Sequence, residues 1–346
     1  PDDPAPGLTL DFGRPREYGG LTLDWVEGRH ASDYLVETSD DGRTWETRLE
    51  VVGGNGGRDP LSLPETESVR LRLRPLKMAD SVGPAIAEIV LHPLEWSATR
   101  EAFFMNIAAD ARRGLYPRGF LDEPTAWTVV GIDHDAREGL LGADGALEVG
   151  PGEYSLEPFL WADGQLLTWA DVEATPSLDG DDLPLPRVTW TSGPWRLRIS
   201  ALGTGGPERS SLLARYEVEN RGTKADSVTL YLALRPFQVN PPVQSLNVRG
   251  GTAKVGSVAL EEGVLVVDGR PRVGLWSAPD GFGSTTFAGG DVVADHLAAG
   301  RLPAARAVDD PFGAASAAVA YRLRLALGAS AGVTVAVPLH EASPMP

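Results

Sequence analysis

The fold class of the N-terminal region is indicated most clearly by one hairpin motif, Ser39-Asp40-Asp41-Gly42-Arg43-Thr44-Trp45. Asp41-Gly42 supplies the positive φ angles that a tight hairpin turn needs, and Trp45 follows on the returning strand. On either side of this turn, apolar residues recur at every second position, as in Leu21-Leu23-Trp25 and Val69-Leu71-Leu73. This period is typical of half-buried strands. Residues 1–95 are therefore predicted to form a β-sandwich.

The period changes after this region, where Phe104, Ala108 and Ala111 fall on one stripe. One amphipathic helix is predicted over residues 96–114, with Ser97 as a candidate N-cap and Gly114 at its C-terminal end. Such a helix would serve as a connector between two β domains.

The β pattern returns over residues 115–340, with more strands than a small sandwich needs. Clear examples are Trp127–Val130, Leu156–Leu160, Trp195–Ser200, Val228–Leu234 and Val264–Val267. Their number predicts a large antiparallel double-sheet domain, so the fold class is all-β.

A short helix is predicted to interrupt these strands from Val292 to Ala299, capped by Asp291 and ended by Gly300. The tail, residues 341–346, lacks a pattern and is expected to fray.

Composition narrows the function classes. The 346 residues carry a net charge of −17, which repels a phosphate backbone, so nucleic acid is not expected as a partner. No apolar run approaches the ~18 residues of a membrane-spanning helix, so no membrane partner is expected. The absence of cysteine excludes disulfides, zinc–thiolate sites and thiol nucleophiles. Because the sequence begins at Pro1 and not at Met, we expect it to be part of a longer product. The missing export signal therefore does not indicate a cellular compartment.

Several N-terminal motifs point to one family, namely Asp11-Phe12-Gly13, Gly19–Trp25, Tyr34–Val36 and Ser39–Trp45. Together they resemble the discoidin, or coagulation factor 5/8 type C, domains. The resemblance spans about Leu8 to Pro93 and implies a galactose-binding-like jelly roll. The family's leading strands, with a loop that helps to form a calcium or ligand site, have no counterpart here. Calcium is therefore assigned to no residue, and no cofactor is expected.

A second set of motifs covers the larger region and includes Tyr116-Pro117-Arg118, Trp127–Gly131, Ser155–Leu160, Thr168–Val172 and Arg235–Pro242. It resembles the part of large bacterial proteins in which a glycoside-phosphorylase-like β-supersandwich follows a discoidin domain. The resemblance spans Leu115 to Leu339. It implies a C-terminal (α/α)6 toroid as a partner domain, beginning where this sequence stops, and it favours a secreted or periplasmic location.

Sugar binding needs flat aromatic faces and planar polar side chains, and nine tryptophans make that chemistry available. Trp127 and Trp169 are predicted to pack between the sheets, whereas Trp161, beside a turn at Asp163-Gly164, is predicted to be exposed. The family-like motifs add four polar candidates. The predicted carbohydrate-binding residues are Trp161, Arg118, Arg235, Gln238 and Asn240.

Glycoside hydrolysis needs two carboxylic acids that flank the scissile bond. Glu157 and Asp171 lie among aromatic residues and are the best candidates for this role, although no spacing fixes them across a cleft. Turn and surface acids are the simpler interpretation, so no catalytic residue is assigned.

Other charged motifs also have structural explanations. The Arg70-Arg72-Arg74 row is predicted to be the wet side of an edge strand, with an anionic sugar as the alternative ligand. His134 is predicted in a solvated turn, the alternatives being a tuned acid or a calcium neighbour. The five histidines lack metal-ligand spacing, and the Asp179–Asp182 loop lacks the progression of an EF-hand, so no metal site is predicted.

Three hypotheses follow. The first is a carbohydrate-binding, non-catalytic β region of a glycoside hydrolase- or phosphorylase-like protein. The second is a complete glycosidase that uses carboxylates of the large sandwich, such as Glu157 and Asp171. The third is a structural or adhesion module that binds protein partners.

Overall fold

The structure is a computed structural model that describes residues 7–79, 83–179, 185–244, 249–341 and 343. These residues contain 22 β-strands and two α-helices, and all sheets are antiparallel, so the all-β prediction is confirmed. None of the described helices has the length and apolar character that a membrane span requires. The chain divides into two compact units. The smaller unit holds the described residues up to Asp110 together with Ala288–Asp291, and the larger unit holds the rest.

The smaller unit is built on one five-stranded sheet with the order β3-β2-β4-β1-β5. Its strands are β1 Leu8–Trp25, β2 Ala31–Ser39, β3 Glu46–Val51, β4 Arg58–Met78 and β5 Ile86–His92. The long strands β1 and β4 pair from Leu8 opposite Leu73 to Asp24 opposite Arg58, with register shifts between Asp11 and Arg16 and between Tyr18 and Gly20. Such irregularities let a sheet bend. In one half of the sheet β1 pairs with β5, and in the other half β2 pairs with β4. Both halves contribute residues to one apolar core.

The hairpin between β2 and β3 forms at the predicted Asp-Gly turn. Gly42 has a φ of 71°, which suits a residue without a Cβ. Asp41 Oδ1 accepts the backbone N–H groups of Arg43 and Thr44, each at 2.8 Å. These two bonds lower the pKa of Asp41 to about 2.

The arginine row does not lie on an edge strand, because β4 is flanked by β2 and β1. Arg72 is buried and its Nε donates to Glu37 Oε2 at 2.9 Å, while Arg74 reaches the same carboxylate at 3.1 Å. The Arg72 guanidinium also lies over the Trp45 ring, 4.1 Å from its centroid. The edge-strand prediction is thus wrong, since a central strand can carry arginines when a carboxylate faces them.

The first helix, α1 Arg100–Asp110, is shorter than predicted and follows a 3-10 turn at Leu94–Ser97. Thr99 is its cap, because Thr99 Oγ1 accepts the N–H of Ala102 at 3.1 Å. The predicted cap, Ser97, instead donates its hydroxyl to the Gly19 carbonyl at 2.6 Å. The 3-10 turn therefore moves the start of the helix past Ser97.

The larger unit is built on two sheets. The eight-stranded sheet has the order β19-β21-β15-β9-β8-β7-β6, with β10 paired to β9, and the nine-stranded sheet has the order β11-β12-β13-β14-β22-β18-β17-β16-β20. The strands up to β15 are β6 Trp127–Val130, β7 Gly139–Gly142, β8 Leu147–Glu148, β9 Ser155–Ala162, β10 Gln165–Leu167, β11 Glu173–Asp179, β12 Leu185–Ser192, β13 Trp195–Thr204, β14 Ser211–Asn220 and β15 Asp226–Arg235. The remaining strands are β16 Ser257–Glu261, β17 Val264–Val267, β18 Arg270–Leu275, β19 Gly281–Thr285, β20 Ala307–Asp309, β21 Ser316–Leu325 and β22 Ser330–Pro338.

One hydrophobic core joins the two sheets of the larger unit. It includes Leu160 and Leu232 from the eight-stranded sheet and Leu197 and Val335 from the nine-stranded sheet. The double-sheet architecture predicted for this region is therefore present.

The second helix, α2 Val293–Ala298, begins without a side-chain cap. Its N-cap residue is Val292, so the predicted role of Asp291 is wrong; Asp291 Oδ1 accepts the Asn55 side-chain amide at 2.9 Å. Gly300 follows the helix with a φ of 68°, as the prediction of a C-terminal glycine requires. In the C-terminal tail, Ser343 is buried and donates to the Ser210 carbonyl at 2.5 Å, so this residue is anchored and not frayed.

Candidate carbohydrate site

A cavity of ≈ 260 Å³ opens in the larger unit beside the turn that joins β7 to β8. Most of its wall is small and apolar. The polar groups on its wall come from four separate segments of the chain, which the strand topology brings together. They are Arg118, Thr125, Asp144, Ser155 and Gln238.

Asp144 sits at the tip of the β7–β8 turn. Gly145, with a φ of 94°, allows the turn to close, and Asp144 Oδ1 accepts the Ala146 N–H at 3.3 Å. Trp190 fixes the backbone here by donating its indole N–H to the Asp144 carbonyl at 2.9 Å. Burial raises the pKa of Asp144, and the positive charge of Arg118 opposes this shift.

Arg118 begins a 3-10 turn that ends at Leu121. Its guanidinium lies over the Trp169 ring, 4.5 Å from the centroid. Trp169 is buried, as predicted, and donates its indole N–H to the Tyr116 carbonyl at 3.0 Å. The only ion pair found for Arg118 among the described residues is a long contact of 3.5 Å to Glu123. The guanidinium is therefore held in place and keeps donors available to the cavity.

Gln238 is a buried residue of the cavity wall. Its Nε2 donates to the carbonyls of Thr252 at 3.0 Å and Gly152 at 3.3 Å. Its Oε1 has no hydrogen-bond partner in the part of the chain that the structure describes. A buried acceptor of this kind needs a partner, such as a hydroxyl group.

Glu157 and Arg235 form an ion pair that does not line the cavity. Arg235 Nη1 and Glu157 Oε2 are 3.0 Å apart, and their exposed fractions are 1% and 5%. Ser155 Oγ donates to the other carboxylate oxygen of Glu157 at 3.2 Å. Burial raises the pKa of Glu157, and Arg235 counteracts it. Each residue thus serves as the other's partner inside the protein.

The other predicted residues lie elsewhere. Asn240 is buried, and its backbone N–H donates to Glu148 Oε2 at 3.0 Å. Trp161 is half-buried and not exposed as predicted, because its indole packs against the backbone of Gly300, where a Cβ would lie 2.5 Å from the ring. Asp171 is held by Arg112 at 2.8 Å and by the Thr168 hydroxyl at 2.7 Å, which contribute to a lowered pKa.

Of the predicted binding residues, the cavity therefore brings together Arg118 and Gln238. Sequence reasoning missed Asp144, Thr125 and Ser155. The one available signal was the Asp144-Gly145 pair, which indicates a turn but not what the turn faces. His134 lies in a solvated turn, with its side chain 85% exposed. Among the described residues no group of three His, Asp or Glu side chains is placed to hold a metal ion. The Asp181–Asp182 part of the acidic loop lies outside the described residues.

No protein-family model matches this sequence, and no curated protein matches it. Three solved structures illustrate the likenesses found. One is chitosan-binding module 2 of a chitosanase/glucanase from Paenibacillus sp. IK-5, in complex with chitotriose, with 21% identity, a TM-score of 0.24, and coverage of 25% of this chain and 68% of the module. Another is CpGH89CBM32-5 from Clostridium perfringens, in complex with GalNAc-β-1,3-galactose, with 22% identity, a TM-score of 0.22, and coverage of 25% and 64%.

The third is a bacterial glucoamylase complexed with acarbose, with 11% identity, a TM-score of 0.38, and coverage of 62% of this chain and 34% of the glucoamylase. The chain thus spans about a third of that enzyme's length. The class that the fold itself defines is an all-β protein of stacked antiparallel sheets.

Proposed function

We propose that this chain is a carbohydrate-binding, non-catalytic β region of a glycoside hydrolase- or phosphorylase-like protein, and that the cavity at Arg118 is a sugar site. The observation that carries the proposal is the meeting of a guanidinium, a carboxylate and a carboxamide, from Arg118, Asp144 and Gln238, in one concave wall. Arg118 and Asp144 can each bond two neighbouring hydroxyls of a sugar at once. Gln238 offers its Oε1 as an acceptor, since both Nε2 hydrogens are engaged.

The size of the cavity favours a small ligand. Pockets for drug-sized ligands measure roughly 300–1,000 Å³, and this one measures ≈ 260 Å³, so we expect it to hold about one sugar ring. No aromatic side chain is found on the described wall; Trp169 instead supports Arg118 from behind. Recognition should therefore depend on hydrogen bonds more than on stacking.

The family resemblances refine this proposal. The Ser39–Trp45 hairpin and its neighbours support a discoidin-like jelly roll for residues 1–95. The motifs from Tyr116 to Pro242 support a β-supersandwich over residues 115–340, with a C-terminal (α/α)6 toroid as its partner and a secreted or periplasmic location. In that arrangement bond cleavage belongs to the toroid.

One observation favours a second candidate function, a glycosidase within this chain. Asp144 faces the cavity with a raised pKa, which is a property of general acids. Hydrolysis also needs a second carboxylate, and Asp144 is the one carboxylate on the described wall. Glu157 and Asp171 are engaged by Arg235 and Arg112. Binding without turnover is therefore the better-supported function.

Isothermal titration calorimetry with a panel of mono- and oligosaccharides tests the proposal. Arg118→Gln and Asp144→Asn should each weaken binding about tenfold or more, because each removes a charge-assisted hydrogen bond. Arg209→Gln, an exposed arginine elsewhere in the larger unit, is the control and should bind like the parent chain. Silence across the panel, or equal affinity in all variants, would refute the sugar site. Turnover of aryl glycosides that Asp144→Asn abolishes would establish the glycosidase instead.

A further inference from the structure

Two further cavities of the larger unit lie on either side of one ion pair. Arg272 and Glu153 form this pair through Nη2 and Oε2, and both residues line both cavities. The cavity on one side measures ≈ 290 Å³ and that on the other ≈ 420 Å³. Neither contains any residue that lines the Arg118 cavity. Their linings are thus distinct from that of the Arg118 cavity.

Cations outnumber carboxylates around these two cavities. The described residues that line them include four cations, Arg137, Lys254, Arg270 and Arg272, and two acids, Glu153 and Asp268. The local balance is positive in a chain whose net charge is −17. Such a reversal of sign in a concave surface concentrates anions there.

The two acids are already engaged. Asp268 Oδ1 accepts the backbone N–H groups of Gly256 at 2.8 Å and Ser257 at 2.9 Å, which ties the β17–β18 turn to the start of β16. Glu153 is paired with Arg272, whose guanidinium carries five donors and so keeps some for a second acceptor.

The cations that face the ≈ 420 Å³ cavity are less engaged. Lys254 makes no ion pair with any residue that the structure describes. Arg270 reaches Glu341 at 3.7 Å, and both side chains are largely exposed, so this contact is weak.

A buried hydroxyl completes the wall of the same cavity. Tyr154 is 3% exposed and its hydroxyl lies near the Arg272 guanidinium, yet no described residue forms a hydrogen bond of ordinary geometry with it. Burial raises the pKa of Tyr154, so the group stays protonated and able to donate at neutral pH. A buried donor next to cations is suited to an anionic acceptor.

We propose that the ≈ 420 Å³ cavity is a binding site for an oxyanion, the carboxylate or phosphate group of a small molecule, held by Lys254, Arg270, Arg272 and Tyr154. This site does not depend on the sugar site at Arg118. The ligand group bridges the cations and accepts the tyrosine hydroxyl, which satisfies the buried donor and the unpaired lysine together.

Calorimetry on the full chain tests the site with inorganic phosphate, glucuronate and glucose as probes. The buffer should be free of sulfate and of low ionic strength, since salt screens charges at partly exposed sites. We expect phosphate, glucuronate or both to bind and glucose not to bind here, and the preferred anion identifies the source of the oxyanion. The double variant Lys254→Gln/Arg270→Gln should weaken anion binding about tenfold or more. Tyr154→Phe, which removes one hydroxyl, should weaken it about threefold or more.

The matched control removes the same two charges elsewhere, in Arg209→Gln/Lys224→Gln, where both side chains are exposed. This variant should bind the anions as the parent chain does. The site is refuted if neither anion binds, or if the control loses as much affinity as Lys254→Gln/Arg270→Gln, since binding would then follow net charge alone. Thermal unfolding of each variant checks that the fold is retained. Loss of sugar binding in Arg118→Gln with anion binding intact would separate this site from the proposed sugar site.

Discussion

Arg235 and Glu157 have the residue types expected of a sugar site, and the structure uses them to neutralise each other. The Arg235 guanidinium is further enclosed by the rings of Tyr116 and Phe237, at 5.3 and 4.7 Å from their centroids. A pair removed from water in this way gains little net stability, but each member needs the other. Loss of one partner should therefore cost far more than loss of an exposed ion pair.

Arg235→Leu should lower the free energy of unfolding by about 3–5 kcal/mol, because it leaves the buried Glu157 without a counter-charge. Urea unfolding measures this loss. The double variant Arg235→Leu/Glu157→Leu removes both charges and should recover much of it. Arg58→Leu, which breaks an ion pair with Asp110 whose side chains are 52% and 58% exposed, should cost about 0–1 kcal/mol. A loss in Arg235→Leu no larger than in Arg58→Leu would contradict the interpretation.

At the scale of single elements, sequence patterns predict the turns and strands whose conformation depends on neighbouring residues. The β2–β3 hairpin forms where Asp41-Gly42 allows positive φ, and the strands Trp127–Val130 and Val264–Val267 have the predicted bounds. The arginine row was misplaced because its environment depends on β4 lying between β2 and β1, which is set by pairing between distant segments. Local patterns do not encode that order.

The candidate site could be predicted only in part, because its residues are also brought together by pairing between distant segments. Arg118 and Gln238 were chosen by residue type within motifs, but 120 positions separate them, and the sheet topology alone brings them to one wall. Asp144 was missed because a turn signal gives backbone shape and not what the side chain faces. Glu157 was considered for the chemistry of its side chain, and its partner could not be known before the pairing of β9 with β15.

The β2–β3 hairpin should make stability depend on pH through Asp41. Its pKa falls from 3.8 to about 2 in the folded chain, so the folded state favours the ionised form. This contribution is fully present above pH 3.8 and is lost as the pH falls through about 2. The Tm advantage of the parent chain over Asp41→Asn should therefore shrink between these pH values. Glu65→Gln, which removes an exposed carboxylate elsewhere, controls for net charge. A constant advantage over this range would show that the two backbone bonds do not depend on the charge.

On the scale of the whole molecule, some charged side chains form local ion pairs, whereas the chain as a whole has an excess of acidic residues. Arg196 and Arg198 on β13 meet Glu217 and Glu219 on β14 in a ladder of ion pairs across the sheet surface. Even so, 48 acidic residues face 31 lysines and arginines. The ladder acts over a few ångströms, whereas repulsion among the unpaired acids acts over the whole surface. These two contributions respond to salt in opposite directions.

When salt is added at neutral pH, the relief of long-range repulsion should outweigh the weakening of the ion pairs. Raising the ionic strength from about 10 mM to about 150 mM shortens the screening length from about 30 Å to about 8 Å, which suppresses repulsion among distant acids. The exposed ion pairs lose at most about 1 kcal/mol each and mostly less. Calorimetric Tm should therefore rise with sodium chloride at pH 7. Near pH 4.7, the sequence pI, the net repulsion disappears and the same salt should leave Tm unchanged or lower it. A Tm that falls with salt at pH 7 would mean that local ion pairs such as Arg198–Glu217, and not the excess of acids, dominate the electrostatic free energy of the folded chain.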